Sequence, residues 1–316
     1  LIAHMDTSPA VSGKDVKPQI IVFDGKNAPM VDSKYIGEEL IVSDKTTLLG
    51  ADDKAGVAEI IAACERIIAD NTLRHGRISI CFTPDEEIGR GADRFDFERF
   101  GADFAYTVDG GELGEISNEN FNAAAVELTV HGINTHPGSA KNKMRNAILF
   151  LNEFINLLPA AEIPACTEGR EGFYHIESVS GNETEARLSM LIRDFDKESF
   201  EKRKQYVEST AAFLNKKYGG ATFEVSVTDS YYNMLEIIEK YPEITARIEG
   251  AMRKAGVKPE FEPIRGGTDG ARLSFEGLPC PNLSTGGMNF HSIYEAIPVK
   301  SLEKMTDVLI NILCED

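Results

Sequence analysis

Short apolar segments that end in histidine or acidic residues are the feature that most constrains the fold of this chain. The predicted strands are Leu1–Ala3, 78–83 and 104–108, and the residues that follow them are His4, Asp85-Glu86-Glu87 and Asp109. These segments alternate with stretches whose apolar residues have helical spacing. Strands that alternate with helices predict a mainly parallel sheet covered on both faces. In such sheets sites form beyond the carboxyl ends of the strands, so the scattered polar residues are predicted to meet at one edge.

His4 and Asp6 stand two residues apart, which places both side chains on one face of an extended backbone. A carboxylate at this spacing can hold the second ring nitrogen of a metal-bound histidine. Such pairs are common by chance, so this one gains weight only because other strand ends carry acids. Asp52 adds a further acid just before a predicted helix over residues 57–68.

The pattern changes near residue 120. The next predicted elements are a strand at 125–132, a helix at 143–158, strands at 173–180 and 186–193, a helix at 199–217 and a strand at 223–227. This β-α-β-β-α-β order is that of the ferredoxin-like unit. We therefore predict an α/β protein with a mainly parallel-sheet domain, residues 1–120 and 229–316, and an inserted α+β domain, residues 121–228.

Composition narrows the classes of partner. The formal net charge of −18 argues against nucleic acid, because the phosphate backbone would be repelled. No apolar run approaches the roughly 18 residues of a membrane span. The five cysteines form no CxxC pair, and we interpret them as buried free thiols of a cytoplasmic protein. The chain begins at Leu1 within a predicted strand, so we expect an N-terminal segment to be missing from it.

Two imidazoles and several carboxylates at these predicted strand ends form a set of ligands that suits zinc, cobalt or manganese. Such a set can hold two cations about 3.5–4 Å apart with one carboxylate between them. Because Glu86 and Glu87 are neighbours, their side chains diverge, so one can bind metal while the other accepts a proton from water. The ordinary alternative for each acid is a solvated loop end or helix N-terminus. The candidates are His4, Asp52, Glu86, Glu87, Asp109 and His291.

Five motifs occur in order along the chain: His4-Met5-Asp6-Thr7, Gly50-Ala51-Asp52-Asp53-Lys54-Ala55-Gly56, Asp85-Glu86-Glu87-Ile88-Gly89, Val108-Asp109-Gly110-Gly111 and Asn134-Thr135-His136-Pro137-Gly138. They resemble the motifs of the dizinc aminopeptidase, acylase and carboxypeptidase G superfamily. Four further segments are similar to its tripeptide aminopeptidases: 171–175, 229–234, 264–271 and 277–282. The resemblance extends over essentially the whole chain.

The resemblance implies a ligand set for two Zn²⁺ ions per subunit, with Co²⁺ or Mn²⁺ as alternatives. Asp52 would bridge the two ions. His4 and Asp109 would hold one of them, and Glu87 and His291 the other. Residues 1–120 and 229–316 would then be the catalytic domain, and residues 121–228 a lid and dimerisation domain.

The resemblance also implies a reaction. The chain would be an exopeptidase that releases the N-terminal residue from short peptides, and we expect tripeptides. Metal-bound hydroxide would attack the carbonyl, Glu86 would be the general base, and Asp6 would orient His4. The peptide bond between Asp52 and Asp53 would be cis.

Residues outside the ligand set are candidates for contact with substrate. His136 by itself is most simply a loop histidine, but the resemblance implies that it polarises the scissile carbonyl, in many members across a homodimer interface. Arg265 and Arg193 are candidates for the C-terminal carboxylate of a peptide, because guanidinium suits bidentate pairing. Arg193 could instead pair with a neighbouring aspartate. Gly266 and Gly267 could cradle the substrate through backbone N–H groups.

Two other functions stay open at this point. The first is an enzyme of the same superfamily that acts on another amide, such as an acylated amino acid or a dipeptide. The second is a metal-independent peptide-binding protein on a decayed enzyme scaffold. A substrate panel separates the first from a tripeptidase, and metal analysis separates the second.

Overall fold

A computed structural model describes the backbone of residues 1–315 and the side chains through Cys314. Its strands are β1 Ile2–His4, β2 Gln19–Val22, β3 Glu39–Val42, β4 Arg74–His75, β5 Cys81–Thr83, β6 Thr107–Gly110, β7 Glu115–Ser117, β8 Asn122–His131, β9 Phe173–Gly181, β10 Glu185–Asp194, β11 Phe223–Tyr231, β12 Glu260–Phe261, β13 Asn282–Ser284, β14 Ala296–Pro298 and β15 Cys314–Glu315. Its α-helices are α1 Ala51–Ala69, α2 Phe97–Phe100, α3 Ala147–Leu157, α4 Lys197–Tyr218, α5 Leu235–Ile238, α6 Pro242–Lys254, α7 Asp269–Phe275 and α8 Val299–Leu313.

The chain divides into two compact units. The first consists of Leu1–Glu119, Met234–Ile264 and the chain from Thr268 onward. The second consists of Asn120–Asn233 together with the short segment Arg265–Gly267. The second unit is therefore interrupted in sequence by a stretch of the first.

The first unit is built on a six-stranded sheet with strand order β12-β7-β13-β6-β1-β5. Its neighbouring strands are parallel except for the pair of β7 and β13. Successive side chains of a strand point to opposite faces, and in β1 the buried Ile2 and Ala3 belong to different apolar clusters. Both faces of the sheet are thus covered, and the predicted α/β class with a mainly parallel sheet is confirmed.

Three long helices of the first unit share one apolar cluster with the sheet. In α1 the buried residues Ile60, Ala63 and Ile67 recur at helical spacing, and α6 contributes Ile244 and Ile248 to the same cluster as α8. Fully burying one isoleucine side chain contributes about 1.5–3 kcal/mol to stability. This packing holds α1 against β1 and β6, so that the first turn of the helix reaches the strand ends.

Helix α1 begins earlier than its apolar pattern predicts. The pattern indicates a helix over residues 57–68, whereas the observed helix starts at Ala51. Asp52 and Asp53 have non-helical backbone angles inside this first turn, which is why the helical pattern does not reveal it. The peptide bond between these two residues is cis, as the resemblance implies.

Two strands are shifted relative to their apolar segments. The paired part of β5 is Cys81–Thr83, because β1 offers partners only from Ile2, opposite Cys81, to His4, opposite Thr83. Strand β6 continues through Gly110 and therefore carries Asp109 within the strand. The apolar pattern locates both strands and misses their ends by a few residues.

The second unit contains a four-stranded antiparallel sheet with strand order β11-β8-β10-β9. Its chain order is β8, α3, β9, β10, α4 and β11, the β-α-β-β-α-β order of a ferredoxin-like unit. Helices α3 and α4 cover one face and bury Leu151, Phe154, Phe200 and Leu214 in a single cluster with the sheet. This unit therefore has its own apolar core.

Smaller features complete the description. A three-stranded antiparallel sheet, β14-β3-β2, closes over Phe23, Leu40 and Met288 in the first unit. The five cysteines are free thiols: Cys280 is buried, Cys64, Cys81 and Cys314 are half-buried, and Cys166 is exposed. The expected burial is therefore confirmed for Cys280 and wrong for Cys166. No helix in the described part of the chain combines the length and the apolar content that crossing a membrane requires.

Candidate metal centre

The register of the main sheet places His4 beside Asp109. Strand β1 pairs with β6 through Ile2 and Thr107, so Asp109 lies level with His4, two residues further along each strand. On its other side His4 pairs with Thr83, the last residue of β5. The sheet therefore presents an imidazole and a carboxylate side by side at the carboxyl ends of the strands.

The two glutamates that follow β5 lie in a tight turn. Asp85 and Gly89 flank this turn with left-handed backbone angles, φ 64° and 71°. The Oδ1 atom of Asp6 accepts a hydrogen bond from the backbone N–H of Glu86 at 3.2 Å, and Oδ2 accepts one from Glu87 at 3.1 Å. One carboxylate thus holds the backbone of both glutamates, a contact that the sequence does not reveal.

Asp52 and His291 complete the cluster from outside the sheet. Asp52 belongs to the first turn of α1, and His291 lies in the loop before β14 with a left-handed backbone, φ 58°. Asp53 points away from this pair, because its carboxylate accepts the backbone N–H groups of His4 at 3.0 Å and Gly56 at 3.3 Å. Asp53 also lies within reach of a metal site near His4. Because backbone donors already engage both of its oxygens, we do not count it as a ligand.

The five residues expected to be ligands lie together. The Nε2 atom of His4 is 2.9 Å from Asp52 Oδ1 and 3.3 Å from Asp109 Oδ1. The Nε2 atom of His291 is 3.0 Å from Asp52 Oδ2 and 3.1 Å from Glu87 Oε2. Asp52 therefore presents one oxygen to each imidazole, and each imidazole has a second carboxylate of its own.

The negative charge of the carboxylates dominates the electrostatics of this cluster. Burial by itself lowers the pKa of His4, but hydrogen bonds with Asp109 and Asp52 outweigh it and raise that pKa to about 12. Hydrogen bonds with Asp52 and Glu87 raise the pKa of His291 to about 10. Burial opposes ionisation of Asp52, yet its hydrogen bonds with the two histidines hold its pKa well below the usual range. Such a field favours positive charge between the carboxylates.

The residues present fit a pair of divalent cations. His4, Asp52 and Glu87 each offer a ligand atom, and these atoms lie within 4.8 Å of one another. The Oε1 atom of Glu87 is buried without a hydrogen-bond partner in the described chain, which is costly unless another group satisfies it. The His4 Nδ1 atom lies 3.3 Å from Asp6 Oδ1, although not in hydrogen-bond geometry. Imidazole and carboxylate ligands together suit zinc, cobalt and manganese.

Glu86 lies beside this cluster and belongs to neither imidazole pair. Burial is the main reason that its pKa is raised to about 8, and the negative charge of Asp109 adds to the effect. A carboxyl group whose pKa approaches neutrality can both accept and return a proton. The arrangement therefore separates a candidate base from the candidate ligands.

Glu295 is a residue of this region that the sequence reasoning missed. Its carboxylate accepts backbone N–H groups from Leu49 at 2.7 Å, Gly50 at 2.8 Å and Asp52 at 2.9 Å. Burial raises the pKa of Glu295, and these three donors oppose that effect. Its position four residues after His291 is the only signal in the sequence, and that signal is too weak to identify it.

Asp269 is a second residue whose position only the structure reveals. It is buried, and its Oδ2 atom accepts a hydrogen bond from the Thr83 hydroxyl at 2.9 Å, at the end of β5. A Cβ atom at Gly91 would lie 2.1 Å from the same oxygen, so glycine is required there. Thr268, and not Asp269, caps helix α7 by accepting the N–H of Gly270.

His136 belongs to the second unit and is exposed there. Its Nδ1 atom accepts a hydrogen bond from the backbone N–H of Gly138 at 3.1 Å. An acceptor nitrogen in a neutral imidazole carries no hydrogen, so this bond assigns the proton to Nε2. The ring is thus held as a donor through Nε2.

Arg265 is anchored within the second unit by a loop. Its guanidinium donates to the carbonyl oxygens of Gly169 at 2.5 Å and Glu171 at 3.2 Å. The same group stacks over the rings of Phe121 and Phe173 at 5.1 and 5.7 Å from their centroids. These contacts give Arg265 a structural role in this unit.

Arg193 has fewer protein contacts. It donates to the preceding carbonyl oxygen at 3.0 Å and stacks over the ring of Tyr231 at 5.3 Å. The two neighbouring aspartates are otherwise engaged, since Asp194 pairs with Arg203 at 2.7 Å and Asp196 caps α4. The alternative in which Arg193 pairs with one of them is therefore not observed.

The two glycines after Arg265 run close to the same tyrosine. A Cβ atom at Gly267 would lie 2.7 Å from Tyr231 Cε1, so a larger residue would have to displace the ring. Gly266 is half-buried beside it. The chain at Gly267 therefore lies against Tyr231, the ring over which Arg193 stacks.

The sequence and the fold of this chain are both similar to those of known peptidases. The peptidase T of Halothermothrix orenii is 54% identical to it, over 99% of this chain and 80% of the relative. The crystal structure of the aminopeptidase PepT from Bacillus cereus matches with a TM-score of 0.81 and 26% identity, over 99% of this chain and 79% of that one. A tripeptidase from Staphylococcus aureus matches with a TM-score of 0.80 and 25% identity, over the same shares.

A family profile covers most of the chain as well. Residues 49–315 match the profile described as peptidase family M20/M25/M40. Together with the relatives above, this match agrees with the resemblance drawn from the sequence motifs. The chain therefore belongs to peptidase family M20/M25/M40 and groups there with peptidase T.

Proposed function

We propose that this aminopeptidase holds two divalent cations between its strand ends and releases the N-terminal residue of tripeptides. The observation that carries the proposal is the position of Asp52, which directs one carboxylate oxygen to His4 at 2.9 Å and the other to His291 at 3.0 Å. The names of the relatives, peptidase T and tripeptidase, support the class of substrate.

Five residues would hold the cations. Asp52 would bind both, His4 and Asp109 would complete one site, and Glu87 and His291 the other. Two cations bound there would lower the pKa of water and polarise a peptide carbonyl. Zinc is the proposed metal, and the same ligands would accept Co²⁺ or Mn²⁺.

Glu86 is the proposed general base. It lies next to a ligand, its carboxylate takes no part in the two imidazole pairs, and its burial keeps its proton affinity high. It would accept a proton from water and return it to the leaving amine. Asp6 supports both Glu86 and Glu87 through their backbone N–H groups, so it would set where the proton is taken up.

His136 would stabilise the negative charge that develops on the carbonyl oxygen. The hydrogen bond from Gly138 to Nδ1 leaves the proton on Nε2, which is the atom that would donate to the oxygen. Arg193 and Arg265 are the proposed partners of the peptide's C-terminal carboxylate, with Gly266 and Gly267 beside them. Arg193 is the stronger of the two, because loop carbonyls already accept from Arg265.

A homodimer through the inserted domain stays a prediction. Strands β9 and β11 lie at the two edges of the second unit's sheet, and edge strands carry backbone groups that can pair with another chain. Light scattering over a range of protein concentrations would measure the oligomeric state. A monomer at every concentration would contradict the prediction.

The substitution Glu86→Gln tests the proposed base. We expect turnover of a tripeptide to fall by about 10²- to 10⁴-fold, because proton transfer by a positioned carboxylate contributes that much. Metal content should be unchanged, since Glu86 is not a ligand. The matched control is Glu87→Gln, which should lose metal. Turnover of Glu86→Gln at the parental rate would show that another residue is the base.

A substrate panel separates the proposed activity from other amide hydrolysis. Matched di-, tri- and tetrapeptides, each with a free and a blocked amino terminus, would be compared at equal concentration. We expect the free tripeptide to be the best substrate. Preference for an acylated amino acid or a dipeptide would assign the same site to a different amide.

Removal of metal separates an enzyme from a binding protein. Dialysis against a chelator should abolish hydrolysis, and added Zn²⁺ should restore it. Undiminished peptide binding together with the absence of bound metal in the purified protein would favour the metal-independent alternative.

A further inference from the structure

Glu295 is a buried carboxylate at the edge of the proposed metal centre. It directly precedes β14, and only 1% of its surface is exposed. Burying a carboxylate is costly unless hydrogen bonds or charges compensate it. The compensation here comes from backbone N–H groups of a distant segment.

The donors all belong to the segment that leads into α1. The Oε2 atom of Glu295 accepts from Leu49 at 2.7 Å and from Gly50 at 2.8 Å, and Oε1 accepts from Asp52 at 2.9 Å. Gly50 is the N-cap residue of α1 and has no side chain to cap the helix. Glu295 therefore supplies the cap from a position 243 residues further along the chain than Asp52.

The same carboxylate connects two parts of the metal centre. On one side it holds the backbone of Asp52, whose two oxygens face His4 and His291. On the other side it lies in the loop that carries His291, four residues away. A shift of either segment relative to the other would separate Asp52 from His291.

We propose that Glu295 is a positioning residue that holds Asp52 where its carboxylate can bind both cations. This inference rests on the proposed function, since it requires that cations bind to Asp52. Glu295 acts through the backbone of residues 49–52, because its three hydrogen bonds come from backbone N–H groups and not from the proposed ligand atoms.

A purely structural role as a helix cap is the competing explanation. A cap alone would change the stability of the metal-free protein and leave the intrinsic affinity for metal unaltered. A positioning role changes the affinity for metal in protein that is folded. The two therefore differ in a measurement that does not depend on catalysis.

The substitution Glu295→Gln distinguishes them. Glutamine keeps the shape of the side chain but places an NH₂ group where one oxygen accepts, so a donor would face either Asp52 or the Leu49 and Gly50 pair. Glu295→Asp keeps the carboxylate and shortens its reach. The control is Glu59→Gln, the same change at a site that is also 1% exposed but lies in the middle of α1.

Zn²⁺ affinity would be measured by titration in chelator-buffered solution, and unfolding of each metal-free variant would be recorded in parallel. We expect Glu295→Gln to weaken Zn²⁺ binding by about 10- to 100-fold, the usual effect of removing a group that orients a ligand. Glu59→Gln should bind Zn²⁺ as the parent does. Glu295→Asp should recover part of the loss.

Parental Zn²⁺ affinity in folded Glu295→Gln would overturn the inference. An equal loss in Glu59→Gln would also overturn it, because the effect would then follow from any buried amide. If Glu295→Gln does not fold, Glu295→Asp is judged by the same comparison. Failure of the parent protein itself to bind Zn²⁺ would instead refute the proposed function, so the two failures are distinguishable.

Discussion

Helix α1 has a buried glutamate at each of two places: Glu295 lies against its first turn, and Glu59 belongs to its middle. The two carboxyl groups differ in their hydrogen bonds. At the first turn, Glu295 accepts three backbone N–H groups. In the middle of the helix both oxygens of Glu59 are buried without a hydrogen-bond partner in the described chain. Equal burial thus has different consequences, because helix ends offer free donors and helix interiors do not.

The burial of Glu59 lowers the stability of the fold, whereas the cost of burying Glu295 is offset by hydrogen bonds. Burial raises the pKa of Glu59 well above its ordinary value, so this group is favoured in its neutral form. Glu295 has compensating donors and lies at the metal centre. Apolar packing of the rest of α1 must offset the cost of Glu59. The predictions below test the two regions separately.

The largest effect is expected from Gly56→Ala, between the two regions. A Cβ atom there would lie 1.9 Å from the carbonyl oxygen of Val108 and 2.6 Å from Asp53 Oδ1. Because Val108 is part of β6, α1 would have to move away from the strand that carries Asp109. We expect a loss of about 3 kcal/mol in the free energy of unfolding, the upper end of the usual cost of overpacking. Urea denaturation measures it, and Zn²⁺ affinity should fall as well.

Gly250→Ala is the matched control for that substitution. Gly250 lies inside α6, and beyond the adjacent helix backbone no atom of the described chain lies within 4 Å of the point that a Cβ would occupy. Alanine there should stabilise the protein by about 0.5–1 kcal/mol, because it favours the helix. Equal stabilities of the two alanine variants would contradict the close contact of α1 with β6.

Glu59→Gln is expected to have the next largest effect, and the effect should depend on pH. The folded state keeps the proton of Glu59 to higher pH than the unfolded state, whose pKa is near 4.5. The parent therefore loses stability as pH rises above 4.5, by up to about 1.4 kcal/mol per pH unit. The glutamine variant lacks this loss. Its advantage over the parent should be absent in acid and reach about 1–3 kcal/mol near neutrality.

Urea denaturation across a series of pH values measures that difference. Glu65→Gln, on the exposed part of the same helix, is the control and should follow the parent at every pH. A constant difference between Glu59→Gln and the parent would show that the carboxyl group of Glu59 is ionised to the same extent in both states.

The smallest effect is expected at a helix that is capped locally. Asp196 caps α4 by accepting the N–H of Ser199 at 2.7 Å, three residues away. Asp196→Ala should cost about 1 kcal/mol in unfolding free energy, the usual value for an N-cap. Zn²⁺ affinity should not change, because this cap holds no proposed ligand. If Asp196→Ala did weaken Zn²⁺ binding, loss of any helix cap could have that effect, and the effect of Glu295→Gln would not indicate a positioning role.

Much of the architecture could be read from the sequence. The apolar segments indicate the parallel sheet, because buried strands need continuous apolar residues. They misplace strand ends, since pairing with β1 decides which residues of β5 are in the sheet. The helical pattern also misses the start of α1, where Asp52 and Asp53 are not helical.

Some residues of the candidate site could also be predicted from the sequence, and some of its contacts could not. His4 and Asp109 follow from their strands, because register places the ends of neighbouring parallel strands side by side. The contacts of Asp6 with the Glu86 and Glu87 backbone could not be predicted, since a backbone N–H group exists at nearly every residue. The roles of the ligands and of the base stay predictions until metal and turnover are measured.

The sequence by itself determined which residue types stand at the strand ends and, through its motifs, the family to which the chain belongs. Only the tertiary structure decided that Glu295 would hold the segment of Asp52 and that Glu59 would be buried without a partner in the described chain. Both outcomes depend on contacts between segments far apart in the chain or on neighbours across a packed core. Local propensity and periodicity carry no information about such contacts, because they describe only residues within a few positions of each other.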